Sequence, residues 1–314
     1  MSSNHESSFQ NPPVEAEARP AKNSDGHPES EMKQFTASDG YCFHYRHWKS
    51  ATKTPLGYIV ALHGIQSHSG WYDFSGNRLS RAGFEVSFLD RRGSGLNEES
   101  RGDTPHVDRL VNDVRQFLAD VCHRRDQELP GSPVVLLGVS WGGKLAAVIT
   151  AQSTDLVDAL ALLSPGICAR FRPRFFQRVM LYLAVSLSRA KHLTRIPLDD
   201  ETLFTGDPDW QRFIRDDPIA LHQVTTSFLK ASCELDRLVV TAPQNISCPV
   251  LLMLAEKDQI IDNTATKKFF QNIRASENKV MEYPDAEHTL EFEPCKEQFI
   301  TDLIDWLKAI RPRT

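Results

Sequence analysis

From residue 58 onward the chain alternates short apolar runs with stretches in which apolar side chains recur every three or four positions. Runs of the first kind cover 58–62, 84–89, 133–137, 157–163, 250–254 and 279–283. Their length and their share of Val, Ile and Leu are those of strands buried on both faces. Between two of them, Val107, Leu110, Val111, Val114, Phe117, Leu118 and Val121 share one face of a helix. Strand and helix in alternation predict an α/β fold, a mostly parallel central sheet with helices on both faces and reactive groups at the carboxyl ends of its strands. Ahead of it, 32–36 and 41–48 are strand-like and flank the turn signal Ala37-Ser38-Asp39-Gly40. That pattern predicts a hairpin.

The alternation breaks from 167 to 245, where several helical patterns and no convincing strand are found. The expectation is a helical cap inserted between two sheet strands, with a core made of 32–166 and 246–314. The first helix of the insertion, 173–185, is apolar around its circumference and starts among Arg170, Arg172, Arg174 and Arg178. Burial against the core is the first expectation for it. The alternative is a face that lines an acyl-binding pocket or makes peripheral contact with a membrane, where arginines meet phosphates. Residues 1–31, rich in Ser, Glu, Pro and Asn, cannot bury enough surface to offset the entropy of ordering and read as a disordered tail.

Composition narrows the partners. At 40% hydrophobic and 25% charged, with a net charge of −5, the chain is an ordinary globular one without the basic footprint that nucleic acid requires. Its six cysteines show neither a CxxC pair nor metal-ligand spacing, which predicts free thiols in a reducing compartment and no metal site. The N-terminus lacks the basic-then-apolar pattern of a signal peptide, and the longest apolar stretch, 179–187, is too short to span a bilayer. A cytoplasmic location is the expectation. Nothing in the pattern specifies an oligomeric state.

The chemistry concentrates at Gly138-Val139-Ser140-Trp141-Gly142, between the apolar run at 133–137 and the helix former Lys144-Leu145-Ala146-Ala147-Val148-Ile149. Strand, Gly-x-Ser-x-Gly, helix is the context of a nucleophile elbow. A strand that turns sharply into a helix leaves no space for Cβ atoms beside a strained serine, and glycine avoids the clash. The helix then starts one residue later, with its unpaired amides and positive dipole end facing the place where an oxyanion would form. The plain alternative is that Ser140 only caps a helix. A serine nucleophile needs an imidazole to take its proton and a carboxylate to orient that imidazole, in the chain order Ser, acid, His. Downstream, the run 249–255 ends in Glu256-Lys257-Asp258, and 279–283 leads through Pro284-Asp285-Ala286-Glu287 to His288. Asp258 and His288 each follow a strand end and are the expected acid and base, with Asp262 as the fallback acid.

Most of the eleven histidines have plain explanations in the tail, the hairpin, helix surfaces or the cap. His63 differs, because 58–62 leads into His63-Gly64-Ile65, where this architecture builds half of an oxyanion hole. The main-chain N–H groups of Ile65 and Trp141 are the expected donors, and His63 is expected to hold its loop by hydrogen bonds. The acidic run of the cap, Asp199, Asp200, Glu201, Asp207, Asp209, Asp216 and Asp217, is first of all a solvated face.

Taken together, His63-Gly64, Ser67-His68-Ser69-Gly70-Trp71-Tyr72, Asp90-Arg91-Arg92-Gly93-Ser94-Gly95, Gly138-Val139-Ser140-Trp141-Gly142-Gly143, Asp258 and His288 resemble the monoacylglycerol lipase and lysophospholipase branch of the α/β-hydrolase fold, within the S33 serine aminopeptidase type. The resemblance covers roughly 32–310. It implies an acylated Ser140 nucleophile completed by Asp258 and His288, oxyanion donors at Ile65 and Trp141, a lipid-type ester such as a monoacylglycerol or lysophospholipid as the small-molecule substrate, and no cofactor. Three positions depart from that branch, which commonly has His-Ser-Met at the elbow where this chain has Val139-Ser140-Trp141, and a second His in place of Ser94. A Trp after the nucleophile resembles prolyl aminopeptidases, so an aminopeptidase or amidase of the same fold is a second reading, with the acidic run as candidate amine-binding groups. Further readings are a non-catalytic small-molecule receptor and an acyltransferase in which an alcohol replaces water. Dehalogenase and epoxide hydrolase chemistry would place Asp where this chain has Ser140.

Overall fold

The computed structural model describes residues 30–171, 175–186, 191–275 and 277–311. The hairpin β1 (Glu31–Thr36) and β2 (Cys42–Trp48) is followed by β3 (Gly57–Leu62), α1 (Asp73–Arg81), β4 (Phe84–Leu89), α2 (Val107–Glu128), β5 (Val134–Val139), α3 (Trp141–Gln152) and β6 (Ala159–Leu163). Next come α4 (Phe175–Ser186), β7 (Leu193–Arg195), α5 (Pro208–Asp216), β8 (Gln223–Thr225) and α6 (Thr226–Thr241). The chain closes with β9 (Val250–Ala255), α7 (Asn263–Phe270), β10 (Asn278–Tyr283) and α8 (Lys296–Ala309).

Eight strands form one sheet in the order β1-β2-β4-β3-β5-β6-β9-β10. The β1–β2 and β2–β4 pairs are antiparallel and the others parallel. The central strands β3, β5, β6 and β9 are buried at every position, as their continuous apolar composition requires once helices cover both faces. The two edges differ: β1 and β10 are largely exposed and carry Lys33, Lys279 and Glu282, charges that discourage pairing with another chain. The helix expected from the apolar stripe at 107–121 is α2, whose N-cap is His106, its ring accepting from the Arg109 amide. The tail expected at 1–31 lies outside the described residues except for Ser30 and Glu31, and Glu31 already belongs to β1.

Two expectations about the insertion are corrected. It does contain strands, because β7 and β8 pair antiparallel through Leu193↔Thr225, Thr194↔Val224 and Arg195↔Gln223. Three residues are too few for an alternating pattern to register. Nor is its first helix buried against the core: α4 packs on α6, and Met180 and Leu183 are each 50% exposed. An apolar circumference states what could be buried; among the described side chains, Met180 and Leu183 are left half exposed. Arg172, Pro173 and Arg174 of that expected helix lie outside the described residues. Among the described residues no helix is long and apolar enough to cross a membrane.

Candidate active site

Strand β5 delivers Ser140 at φ 51° and ψ −123°, a left-handed conformation that costs a residue with a Cβ roughly 1–3 kcal/mol. Its neighbours hold it there. The Ser140 amide donates to the Leu163 carbonyl (3.0 Å), and its own carbonyl accepts from Gly143 (2.8 Å) and Gly166 (2.6 Å). The flanking glycines are required by close approach. A Cβ at Gly138 would lie 2.6 Å from the Gly143 Cα, and one at Gly142 would lie 2.5 Å from the Leu62 carbonyl oxygen and 2.6 Å from that of His63. The helix can leave the strand at this angle only because both side chains are absent.

His288 follows β10 and Asp258 follows β9. The Ser140 hydroxyl lies 2.9 Å from His288 Nε2, and His288 Nδ1 lies 2.7 Å from Asp258 Oδ2. The second oxygen of Asp258 accepts the amides of Ile260 (2.8 Å) and Ile261 (2.9 Å), so the carboxylate is fixed and fully buried. These bonds set the tautomer: Nδ1–H donates to Asp258, leaving Nε2 to accept from Ser140. The fallback acid, Asp262, caps α7 by accepting from the Ala265 amide and does not enter the site.

His63 sits at the end of β3, where its Nδ1–H donates to the Gly64 carbonyl (2.8 Å) and its Nε2 accepts from the Arg91 amide (3.1 Å). Burial and the nearby Arg91 charge hold its pKa well below the ordinary value, so it is a neutral structural brace. A Cβ on Gly64 would lie 3.3 Å from the Ser140 Cβ, which places the Gly64–Ile65 peptide beside Ser140. On the other side, Trp141 opens α3, whose first amides have no intrahelical acceptor.

Several side-chain contacts that the sequence does not reveal surround this centre. The Trp141 indole stacks on Phe228 of α6 (5.4 Å between centroids, 28°) and donates to Ser232 Oγ (3.0 Å). Lys144 donates to Ser232 (3.0 Å) and Asp236 (2.7 Å). The buried Arg91 guanidinium lies over the rings of Trp141 and Phe228 and donates to the carbonyls of Gly64 and Ile65. His68 Nε2–H and Trp71 Nε1–H both donate to Asp217 Oδ2, at 2.9 and 2.6 Å. Asp217 is thus no part of a solvated face. Burial works to raise its pKa, but the bonds from His68, Trp71 and the Ile219 amide outweigh that and hold it below the usual carboxylate value. Other acids of the run have local duties: Asp200 and Asp207 are N-caps, Asp209 pairs with Arg212 and Glu201 with Arg215. The one sequence cue to these contacts is the density of charge and aromatics at 68–72 and 90–92.

The family model described as serine aminopeptidase, S33, matches residues 53–295. The chain belongs to this family. Among its relatives, an abhydrolase domain-containing protein of Dictyostelium discoideum is 24% identical over 282 residues, 89% of this chain but 29% of that protein's length. A monoacylglycerol lipase of Mycolicibacterium smegmatis is 23% identical over 278 residues, covering 87% of this chain and 95% of the relative. A soluble variant of monoglyceride lipase from Saccharomyces cerevisiae, solved with a substrate analog, superposes with a TM-score of 0.81 at 20% identity, covering 95% of this chain and all of that one. The fold of this S33 member is therefore that of the α/β-hydrolases, in a monoacylglycerol lipase-like form.

Two substitutions probe the arrangement. Gly142→Ala forces a Cβ onto two backbone carbonyls and is expected to lower stability by about 1–3 kcal/mol, read as a shift in denaturant midpoint, together with a loss of reactivity at Ser140. Glu291, whose carboxylate meets the amide and hydroxyl of Ser75, has its pKa raised by burial from 4.5 to about 7 against those bonds. Between these values the unfolded chain is ionised at this position and the folded one is not, so folding stability falls as pH rises from about 4.5 to about 7, by up to ~3 kcal/mol. Glu291→Gln keeps the Ser75 contacts without a charge. Urea titrations across that window should show a smaller decline for the variant than for the parent.

Proposed function

We propose that the chain is a serine hydrolase that cleaves carboxylic esters of lipid type, a monoacylglycerol or a lysophospholipid, through an acyl-enzyme on Ser140. The observation that carries this reading is the unbroken chain of hydrogen bonds from Ser140 Oγ through His288 to Asp258, with a hydroxyl presented on a strained turn at the head of α3. His288 Nε2 takes the hydroxyl proton as Ser140 Oγ bonds to the ester carbonyl carbon. Asp258 stabilises the imidazolium so formed, and the N–H groups of Ile65 and Trp141 receive the negative oxygen. Collapse of that intermediate breaks the bond to the alcohol, which leaves with the proton from His288. Water, deprotonated by the same imidazole, then attacks the acyl-enzyme and releases the acid. Proton transfer and electrostatics from these residues complete the cycle without a cofactor.

The lipid reading is supported by the monoacylglycerol and monoglyceride lipases among the relatives. We take the segment 167–245 to be a cap over this site. Met180 and Leu183, one turn apart on α4 and half exposed, suit a face that touches a lipid surface. All six cysteines are free thiols, which supports the cytoplasmic reading. The amidase reading loses its proposed amine-binding groups, since most of the acids it needs are engaged in caps and ion pairs or, in Asp217, with His68 and Trp71.

A fluorophosphonate probe should label Ser140, located by mass spectrometry, and the label should be lost in His288→Ala. Ser140→Ala should remain folded and lose hydrolysis of a short p-nitrophenyl ester by about four orders of magnitude or more. Fatty-acyl glycerols and lysophospholipids should be turned over in preference to aminoacyl amides; the reverse preference replaces the ester reading with the amidase one. An unlabelled Ser140 overturns both.

A further inference from the structure

Arg91 is 4% exposed, and among the described residues it makes no ion pair with any carboxylate. The adjacent Asp90 uses its oxygens on the amides of Ser69 (2.7 Å) and Leu96 (3.0 Å). Two of its guanidinium nitrogens, Nε and Nη1, are buried without a hydrogen-bond partner. A buried cation with neither a counter-ion nor a full set of acceptors costs several kcal/mol to maintain. What it does contact is specific: Nη2 donates to the carbonyls of Gly64 (3.1 Å) and Ile65, and the guanidinium lies 4.7 Å over the Trp141 ring and 5.3 Å over that of Phe228.

The Gly64 carbonyl and the Ile65 N–H belong to one peptide unit. That unit is planar and trans, so its C=O and N–H point in opposite directions. Donors that pin the carbonyl oxygen therefore aim the N–H. Two do so, His63 Nδ1–H and Arg91 Nη2–H, and the second is charged. A cationic donor on the carbonyl also draws electron density through the amide and strengthens the N–H as a donor. Through its stacking on Trp141 the same guanidinium braces the residue that carries the other oxyanion donor.

We propose that Arg91 is a positioning residue of the oxyanion hole: it aims and polarises the Ile65 amide, and its buried charge is compensated by the oxyanion that forms during acyl transfer. This rests on the reading of Ser140 as the nucleophile. It adds a side chain to a hole otherwise made of backbone, and it accounts for a buried charge that has no carboxylate counter-ion among the described residues.

The test compares the parent with Arg91→Met, which keeps packing against the two rings but has no donors, and Arg91→Lys, which keeps a charge. Each is assayed for kcat and KM on a p-nitrophenyl ester and for affinity to a trifluoromethyl ketone, whose adduct with a serine carries an oxyanion; melting curves confirm folding. Arg91→Met should lower kcat by on the order of 10- to 100-fold with KM little changed, and weaken the ketone by a matching factor. Arg91→Lys should recover part of both losses. If Arg91→Met does not fold, Arg91→Lys carries the comparison, with a smaller but matched loss in kcat and ketone affinity. Equal ketone affinity in the parent and the folded variant overturns the assignment, as does a kcat loss matched by no change in ketone binding. A parent that binds the ketone no better than Ser140→Ala overturns the nucleophile reading, and this inference with it.

Discussion

The backbone at Ser140 is held in a conformation that a residue with a Cβ adopts only under constraint, and the surrounding structure is arranged by what that turn requires. Its amide and carbonyl are bonded to the end of β6, to the first turn of α3 and to the Gly166 amide. For α3 to leave β5 so steeply, Gly142 must approach the last carbonyls of β3 to within a distance that excludes a side chain. The loop after β3 is consequently brought against Ser140, and with it the Gly64–Ile65 peptide. The turn at Ser140 and the loop after β3 are thus one packing problem. The parallel neighbours β3, β5 and β6 are in register through Leu62, Gly138 and Leu162, so the sheet sets the spacing that the turn then exploits.

Besides the packing of α6 on α3 and α2, the insertion is bonded to loops around the site. Asp217 is bonded to His68 and Trp71, the Leu221 amide to the Gln66 carbonyl, the carbonyls of Ile219 and Ala220 to Arg101, and Ser227 to the Thr104 carbonyl. Phe204 stands edge-on to His288 (6.0 Å between centroids), and its carbonyl accepts the Thr289 amide. Polar ties of this kind add only modest stability each but are costly to leave half-made. The seating of the insertion and the geometry around His288 therefore depend on one another.

How much of this was legible in the sequence follows from what each feature is made of. Ser140, Asp258 and His288, which hydrogen bonds join in the structure, stand out in the sequence because each follows an apolar run, and a run of strand length states where a strand ends. The choice of Asp258 over Asp262 rested on closeness to the strand end; the cap at α7 gives the physical reason, since the Asp262 oxygen is engaged by the Ala265 amide. Burial of Asp217 could not be read, because six acids near it are local caps, ion pairs or solvated and nothing in composition separates the seventh. Arg91 was hidden for a related reason. Its surroundings come from β3, α3 and α6, elements far apart in sequence. The helix α4 misled in the opposite sense, since hydrophobicity is a property of the segment and burial a property of its neighbours.

One feature of the topology fixes one wall of the site. Strands β6 and β9 are adjacent and parallel, so the chain between them must travel from one end of the sheet back to the other. The last leg of that journey is α6, which starts where β8 ends, packs on α3 and α2 and runs into the turn that feeds β9. The helix that grips Trp141 is for this reason tied to the sheet at its exit and to the elbow helix along its length. The insertion is therefore anchored at its exit as well as along the helix that precedes it.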